Sequence, residues 1–287
     1  VCSSDLSQSL KMPIKNLSLK KNVTSGFLVV DKQGGMTSHD VVAKARKELN
    51  TRKIGHAGTL DPMATGVLVL GVGDGTRLLQ YITAGIKAYD ATVKLGQLTS
   101  TDDKEGEVIE STEIPADIPA AFAKQVGKIM QKPSSVSAIR IDGKRAYDLV
   151  REGVEVDIPA REVEVYEIKI KQIRGDEVDI SVKCSAGTYI RAIARDCGGH
   201  LTALRRTQVG IFDLSMAGQL MSVVDVASKI FTPRQLDLQE AAEMKFGRNI
   251  QSSGVAGIVA ALTPQGELAA LLEDKDGMAK PFTVFVK

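Results

Sequence analysis

The sequence predicts an α+β fold: a mixed, mostly antiparallel central sheet flanked by helices, followed by a small C-terminal β module. Three observations predict it. Apolar residues alternate at period two in some segments and recur at helical spacing in others, so both element types are present. The two kinds follow one another without a regular strand–helix–strand rhythm, which argues against an all-parallel sheet. After about residue 232 the composition changes to short apolar runs separated by turn residues.

Residues 1–25 begin without Met and have no clear periodicity, so they read as a tail or non-native extension outside the fold. GFLVVDK, from Gly26, is a short apolar run expected to be a buried strand. Thr37 or Ser38 suits a helix N-cap, and Val41, Val42, Ala45 and Leu49 follow at helical spacing. Residues 52–66, rich in Gly, Thr and Pro, are expected to be a loop before the apolar strand VLVLGV. DGTRLLQYITAG reads as a short helix. KAYDATVKLG alternates as a strand, with Tyr89, Ala91, Val93 and Leu95 on one side. STDDKEGE is a turn, and residues 116–130 read as helical. SSVSAIRIDG is expected to be a strand and RAYDLVREG a short helix. Two alternating runs from Arg161 to Cys184 meet at Arg174-Gly175-Asp176, a hairpin signal. TYIRAIARD and LQEAAEMKF read as helices. The expected organisation is a main domain over 26–232 and a module over 233–287. The module is small enough to lean on the larger domain for its core.

The net charge is only +2, so global charge does not announce a nucleic-acid binder. Two local clusters are basic: Lys44, Arg46, Lys47, Arg52 and Lys53 against Glu48, and Arg191, Arg195, Arg205 and Arg206 against Asp196. Either alone suits a solvated helix face. Converging on one groove, they would track phosphates. Three cysteines, at 2, 184 and 197, fit neither a zinc site nor a disulfide framework. No apolar run approaches the roughly 18 residues of a membrane helix, and a reducing cytoplasm is the expected location.

The most informative stretch is Gly55-His56-Ala57-Gly58-Thr59-Leu60-Asp61-Pro62-Met63-Ala64-Thr65-Gly66. It sets an aspartate in a glycine-rich loop whose backbone can approach a ligand closely. Pro62 removes a donor and biases Asp61 towards an extended conformation. By residue type alone, Asp61 is better explained as a turn aspartate bonded to its own backbone.

This string resembles the signature loop of the TruB family of pseudouridine synthases, GH-x-G-x-LDP-x-ATG, at every specified position. GFLVVDKQGGMTSHDVV resembles that family's opening strand and helix, with Gln33 at the usual Pro. KAYDATVKLGQLTSTDDKEGE, QKPSSVSAIRIDGKRAYDLVREG, CSAGTYIRAIARD and GGHLTALRRT resemble its later motifs, in order. The resemblance implies the pseudouridine synthase fold, a PUA-like C-terminal RNA-binding module, and isomerisation of uridine at position 55 in the T arm of tRNA. It implies Asp61 as catalytic carboxylate, Tyr89 as the active-site tyrosine stacking on the base, and Arg191 as the arginine pairing with Asp61. Asp103 would contact that arginine, and Leu204 would line the base pocket. His56 would hold the space left by the flipped nucleotide or stabilise the loop. Lys32, Arg205 and Arg206 would be the first candidates for RNA phosphates. No cofactor, metal, membrane or obligate protein partner is implied, and the expected state is a monomer. A carboxylate here would act as nucleophile or take the C2′ proton as base. Alternatives are another RNA substrate, as for guide-dependent relatives resembling dyskerin, or a non-catalytic RNA-binding or RNA-folding protein on the same scaffold. One departure stands out: Arg195-Asp196-Cys197-Gly198-Gly199-His200 joins two motifs abruptly, as though part of a helix and turn were missing.

Overall fold

In the computed structural model, residues 25–134, 140–141, 144–145 and 158–286 are described. The strands are β1 (Gly26–Lys32), β2 (Ile54–His56), β3 (Thr65–Val72), β4 (Lys87–Leu95), β5 (Gln97–Thr99), β6 (Val108–Ser111) and β7 (Gly127–Gln131). They continue with β8 (Arg140–Ile141), β9 (Lys144–Arg145), β10 (Arg161–Arg174), β11 (Glu177–Cys184), β12 (Gly199–Val209), β13 (Phe212–Asp213) and β14 (Leu220–Met221). β15 (Thr232–Gln235), β16 (Ile250–Gln251), β17 (Ile258–Leu262), β18 (Leu268–Lys275) and β19 (Met278–Val284) complete them. The α-helices are α1 (Ser38–Glu48), α2 (Leu79–Thr83), α3 (Ile118–Ala123), α4 (Ile190–Asp196), α5 (Val223–Ile230) and α6 (Leu238–Lys245).

A ten-stranded sheet runs in the order β14-β1-β3-β12-β4-β11-β10-β7, with β2 beside β3 and β13 beside β12. Its pairs are antiparallel except β12 with β3, which are parallel through Arg205↔Thr65 and Arg206↔Gly66. That is the mixed, mostly antiparallel sheet the sequence predicts. The second sheet has five strands, β15-β17-β18-β19-β16.

Local chemistry accounts for most elements. Thr37 caps α1: its hydroxyl accepts from the Asp40 N–H at 3.1 Å, and Asp40 accepts from the Thr37 N–H at 2.8 Å. This reciprocal cap satisfies two otherwise orphan donors. In β4, Lys87, Tyr89, Ala91, Val93 and Leu95 are buried in strict alternation. The β10–β11 hairpin turns at Gly175, whose φ is +62°.

Three expectations need correction. The loop expected over 52–66 contains β2, paired antiparallel with β3 from Ile54↔Val72 to His56↔Leu70. Burial of Ile54 anchors this short strand. The helix expected over 116–130 stops at Ala123. Gly127, at φ +102°, turns the chain into β7, which pairs with β10. The helix expected over 74–85 opens as a 3₁₀ turn, Gly73–Leu78, before α2. The strand expected over 134–143 and the helix expected over 145–153 fall largely outside the described residues.

The abrupt join after α4 closes without strain. Cys197 caps the helix, its N–H donating to the Ala194 carbonyl at 3.2 Å. Gly198, at φ +82°, turns the chain into β12, where Gly199 pairs with Leu95.

At Gly66 the parallel pairing with β12 is so close that a Cβ would lie 2.1 Å from the Arg206 carbonyl oxygen, and φ is +101°. Gly66→Ala should therefore destabilise the fold by about 2–5 kcal/mol, from left-handed strain plus overpacking. Denaturant titration checks this, and a loss under 1 kcal/mol contradicts it.

The core is continuous from the large sheet into the small one. Phe27, Val29, Val67 and Val69 share a cluster with Val226 and Ala227 of α5 and with Ala260, Leu268 and Leu271 of the second sheet.

Candidate active site

The loop from Gly58 to Ala64 is clamped from three sides. The Ser38 hydroxyl on α1 accepts from the Leu60 N–H at 2.9 Å and donates to its carbonyl at 3.2 Å. Lys32 Nζ, at the end of β1, donates to the carbonyls of Gln33, Pro62 and Ala64 at 3.0, 3.2 and 2.6 Å. Arg206, on β12, donates to the carbonyls of Val67, Gly58 and Thr59 at 2.8, 3.0 and 3.4 Å. Two buried cations thus join the Gly35 N–H, which donates to the Pro62 carbonyl at 2.9 Å, in satisfying the carbonyls of an irregular loop.

The loop presents Asp61 to Arg191 of α4. Asp61 Oδ2 lies 2.9 Å from Arg191 Nε, and Oδ1 accepts from Nη2 at 3.1 Å. Both carboxylate oxygens thus face the guanidinium in a two-point fork, one point a hydrogen bond from Nη2 and the other a close ion-pair contact at Nε. The Arg191 side chain is 4% exposed and the Asp61 side chain 35%, so the carboxylate keeps one face open. Behind the fork, Arg191 Nη1 donates to the Thr101 carbonyl at 2.8 Å and lies 3.7 Å from buried Asp103 Oδ2. Asp103 is itself held by the Thr101 hydroxyl at 2.6 Å and the Glu105 N–H at 3.0 Å. Gln131 of β7 fixes the start of α4, accepting from the Tyr189 N–H at 2.8 Å and donating to its carbonyl at 3.1 Å.

Asp61, Tyr89, Arg191, Leu204 and Arg206 line one pocket of about 320 Å³. Burial raises the pKa of the Tyr89 hydroxyl above its ordinary value, and the Arg206 guanidinium beside it pulls the other way. The hydroxyl therefore remains a neutral phenol at neutral pH, a donor at the pocket wall. A larger cleft of about 770 Å³, between α5, α6 and the second sheet, lies away from this ion pair and lacks a comparable set.

The other expected site residues fall elsewhere. Lys32 and Arg206 are wholly buried with their donors turned onto loop carbonyls, so they hold the loop and do not offer themselves to RNA phosphates. Strand alternation sends Arg205 to the opposite side of β12 from Arg206, where it pairs with Asp31 at 2.8 Å. His56 sits in β2 with its ring edge-on to His39, centroids 5.5 Å apart, and does not line the pocket.

Sequence reasoning missed Lys87, Arg161, Gln131 and Ser38. Lys87 and Arg161 line the pocket. Two-residue alternation with Tyr89 would have found Lys87. Nothing local marks Arg161, which reaches the pocket from β10. Burial lowers the Lys32 and Lys87 ammonium groups from the ordinary 10.5 to about 8. Between those values the unfolded chain binds more protons than the folded one, so each lysine's contribution to stability rises with pH across that window and is flat below it. Wild type should accordingly gain on Lys87→Met in urea midpoint between about pH 8 and pH 10. A constant gap would contradict the depressed ammonium.

Among the described residues, no group of three His, Cys, Asp or Glu could hold a metal ion, and no helix is long and apolar enough to cross a membrane.

The sequence and the fold both have counterparts among known proteins. Residues 46–190 match "TruB family pseudouridylate synthase (N terminal domain)", and residues 231–286 match "tRNA Pseudouridine synthase II, C terminal". The chain belongs to the TruB family of pseudouridylate synthases. It is 48% identical to a tRNA pseudouridine synthase B of Corynebacterium glutamicum, covering 91% of this chain and 95% of that one. With the protein of the same description from Nocardia farcinica it shares 49% identity, over 91% and 92% of the two chains. Among solved structures, an H/ACA RNP bound to a substrate RNA containing 2′-deoxyuridine superposes with a TM-score of 0.68 at 22% identity, over 96% of this chain and 90% of that one. A Cbf5-Nop10-Gar1 complex gives the same TM-score at 23% identity, over 99% and 90%. These two likenesses support the fold.

Proposed function

We propose that this chain isomerises uridine to pseudouridine at position 55 in the T arm of tRNA, with Asp61 as its catalytic carboxylate. The observation that carries the reading is the Asp61–Arg191 fork at one wall of a nucleoside-scale pocket. Small-ligand pockets span about 300–1,000 Å³, and this one lies at the lower end. The reaction breaks N1–C1′ and makes C5–C1′ with no net redox change, so no electron carrier is needed. The base must first leave its stack, at a cost of a few kcal/mol, which pocket contacts offset. Arg191 orients the carboxylate while leaving one oxygen face open. Asp61 then either adds to the nucleoside or takes the C2′ proton. The Tyr89 ring stacks on the uracil, and its hydroxyl takes the proton leaving C5 only as it gives up its own, the net transfer being from C5 to the freed N1. Asp103 and Thr101 hold Arg191 from behind, and Leu204 closes the apolar side of the pocket. The family and the named relatives favour tRNA over other RNAs, and the expected state is a monomer acting without a protein partner.

The test is incubation with an unmodified tRNA transcript and with a T-arm hairpin, followed by carbodiimide mapping of pseudouridine. Wild type should modify both RNAs and Asp61→Ala neither. RNA refolding without modification by wild type would favour a non-catalytic role instead.

Tyr89 separates stacking from proton relay. Tyr89→Phe should bind RNA within about twofold of wild type but turn over slowly. Tyr89→Ala should lose about 1–3 kcal/mol of binding as well. Equal affinities for the two variants, measured by filter binding, would remove the stacking role.

A further inference from the structure

The pocket carries more positive charge than the protein itself neutralises. Lys87, Arg161, Arg191 and Arg206 line it, with Asp61 as its carboxylate. Arg191 faces Asp61 and Asp103. Arg206 spends its guanidinium on loop carbonyls, and Lys87 donates to the carbonyls of Thr83 and Gly85 at 2.6 and 2.9 Å. Arg161 differs from these three. Its Cζ lies 5.1 Å from the Tyr189 ring centroid, and Nη2 donates to the Gly187 carbonyl. Among the described residues no carboxylate pairs with it, and its Nε has no hydrogen-bond partner. Gly187 lies directly against it: a Cβ there would be in ordinary contact, 3.5 Å from Arg161 Nη2 and 3.6 Å from Cζ.

We propose that Arg161 binds a phosphodiester flanking the flipped uridine, gripping two of its oxygens from the pocket rim. The inference rests on the proposed RNA substrate and adds the group that seats its backbone. A nucleoside entering this pocket brings a phosphate to the mouth, and that phosphate is the anion the pocket lacks. The guanidinium fork matches two phosphate oxygens in one plane, which a lysine cannot reproduce. The nearby Tyr189 ring and the bond to the Gly187 carbonyl hold the guanidinium in place beforehand, which lowers the entropy lost on binding.

The experiment uses the full chain and T-arm hairpins in which the phosphate 5′ or 3′ of the target uridine is replaced singly by an uncharged methylphosphonate. For wild type, one of the two replacements should weaken binding by roughly tenfold or more, as for a charge-assisted contact. Arg161→Ala should weaken binding of the unmodified hairpin by a similar factor and become insensitive to that replacement. Arg161→Lys should recover only part of the loss. The salt dependence of log Kd should fall by somewhat less than one contact's worth in Arg161→Ala. If wild type ignores both replacements, or if Arg161→Ala remains as sensitive as wild type, Arg161 does not hold that phosphate. The wild-type arm does not depend on how any variant folds. Absence of pseudouridine with wild type and unmodified tRNA would instead defeat the proposed function, a result distinguishable from either.

Discussion

Asp61→Asn is expected to lower single-turnover pseudouridine formation by at least about a thousandfold while RNA affinity stays within a few-fold of wild type. The substitution keeps size and shape but removes the charge and basicity needed for bond cleavage; proton transfer alone contributes about 10²–10⁴-fold. The loop should keep its form, because Ser38, Lys32 and Arg206 hold it through backbone atoms and not through the carboxylate. Asparagine still offers Arg191 one acceptor, and Asp103 remains at 3.7 Å, so the arginine is not abandoned in the interior. The readout is quenched-flow turnover on saturating T-arm hairpin, beside equilibrium binding. Turnover within tenfold of wild type would remove Asp61 from the chemistry.

Arg191→Ala should damage both stability and activity. Removing the guanidinium leaves Asp103, 5% exposed, without its cation, and Asp61 without its orienting fork. Breaking a buried pair from one side costs about 3–5 kcal/mol. Asp61 is 35% exposed and recovers some hydration, so the expected loss is nearer 2–4 kcal/mol. Turnover should fall by at least a hundredfold even where the variant is fully folded, because the carboxylate is no longer aimed. Arg191→Lys keeps the charge but cannot make the two-point contact, so it should recover stability more than activity. Denaturant midpoints and single-turnover rates measured together would check this. Equal recovery of both by lysine would mean that charge alone matters and that the fork does not orient Asp61.

Much of the fold was legible because its signals are local. The Thr37 cap, the alternation through Tyr89, Ala91 and Val93, and the turn at Gly175 each lie within a few residues. β2 and β7 were missed for local reasons too. β2 is three residues long inside a glycine-rich stretch, and β7 follows a helix whose end is set by the conformation of Gly127. The site was less legible. Without the family motif, Asp61 is an ordinary turn aspartate, and its partner is 130 positions away. Lys32 and Arg206 were misread because a cation on a strand normally reaches water. Their burial depends on loop carbonyls brought to them from other parts of the chain, which no window around either residue reveals.

The shared interior of the two sheets bears on how the molecule loses its structure. Ala260, Leu268 and Leu271 close one side of the layer that Phe27, Val29, Val67 and Val69 close on the other, with α5 wedged between. Neither sheet can detach without wetting apolar surface that belongs to both. Heating should therefore melt the chain in one calorimetric transition, and amides in β3 and β18 should exchange their hydrogens at a common, slow rate set by global opening. The strands that carry the loop of Asp61 would then owe part of their rigidity to residues more than 190 positions further along the chain.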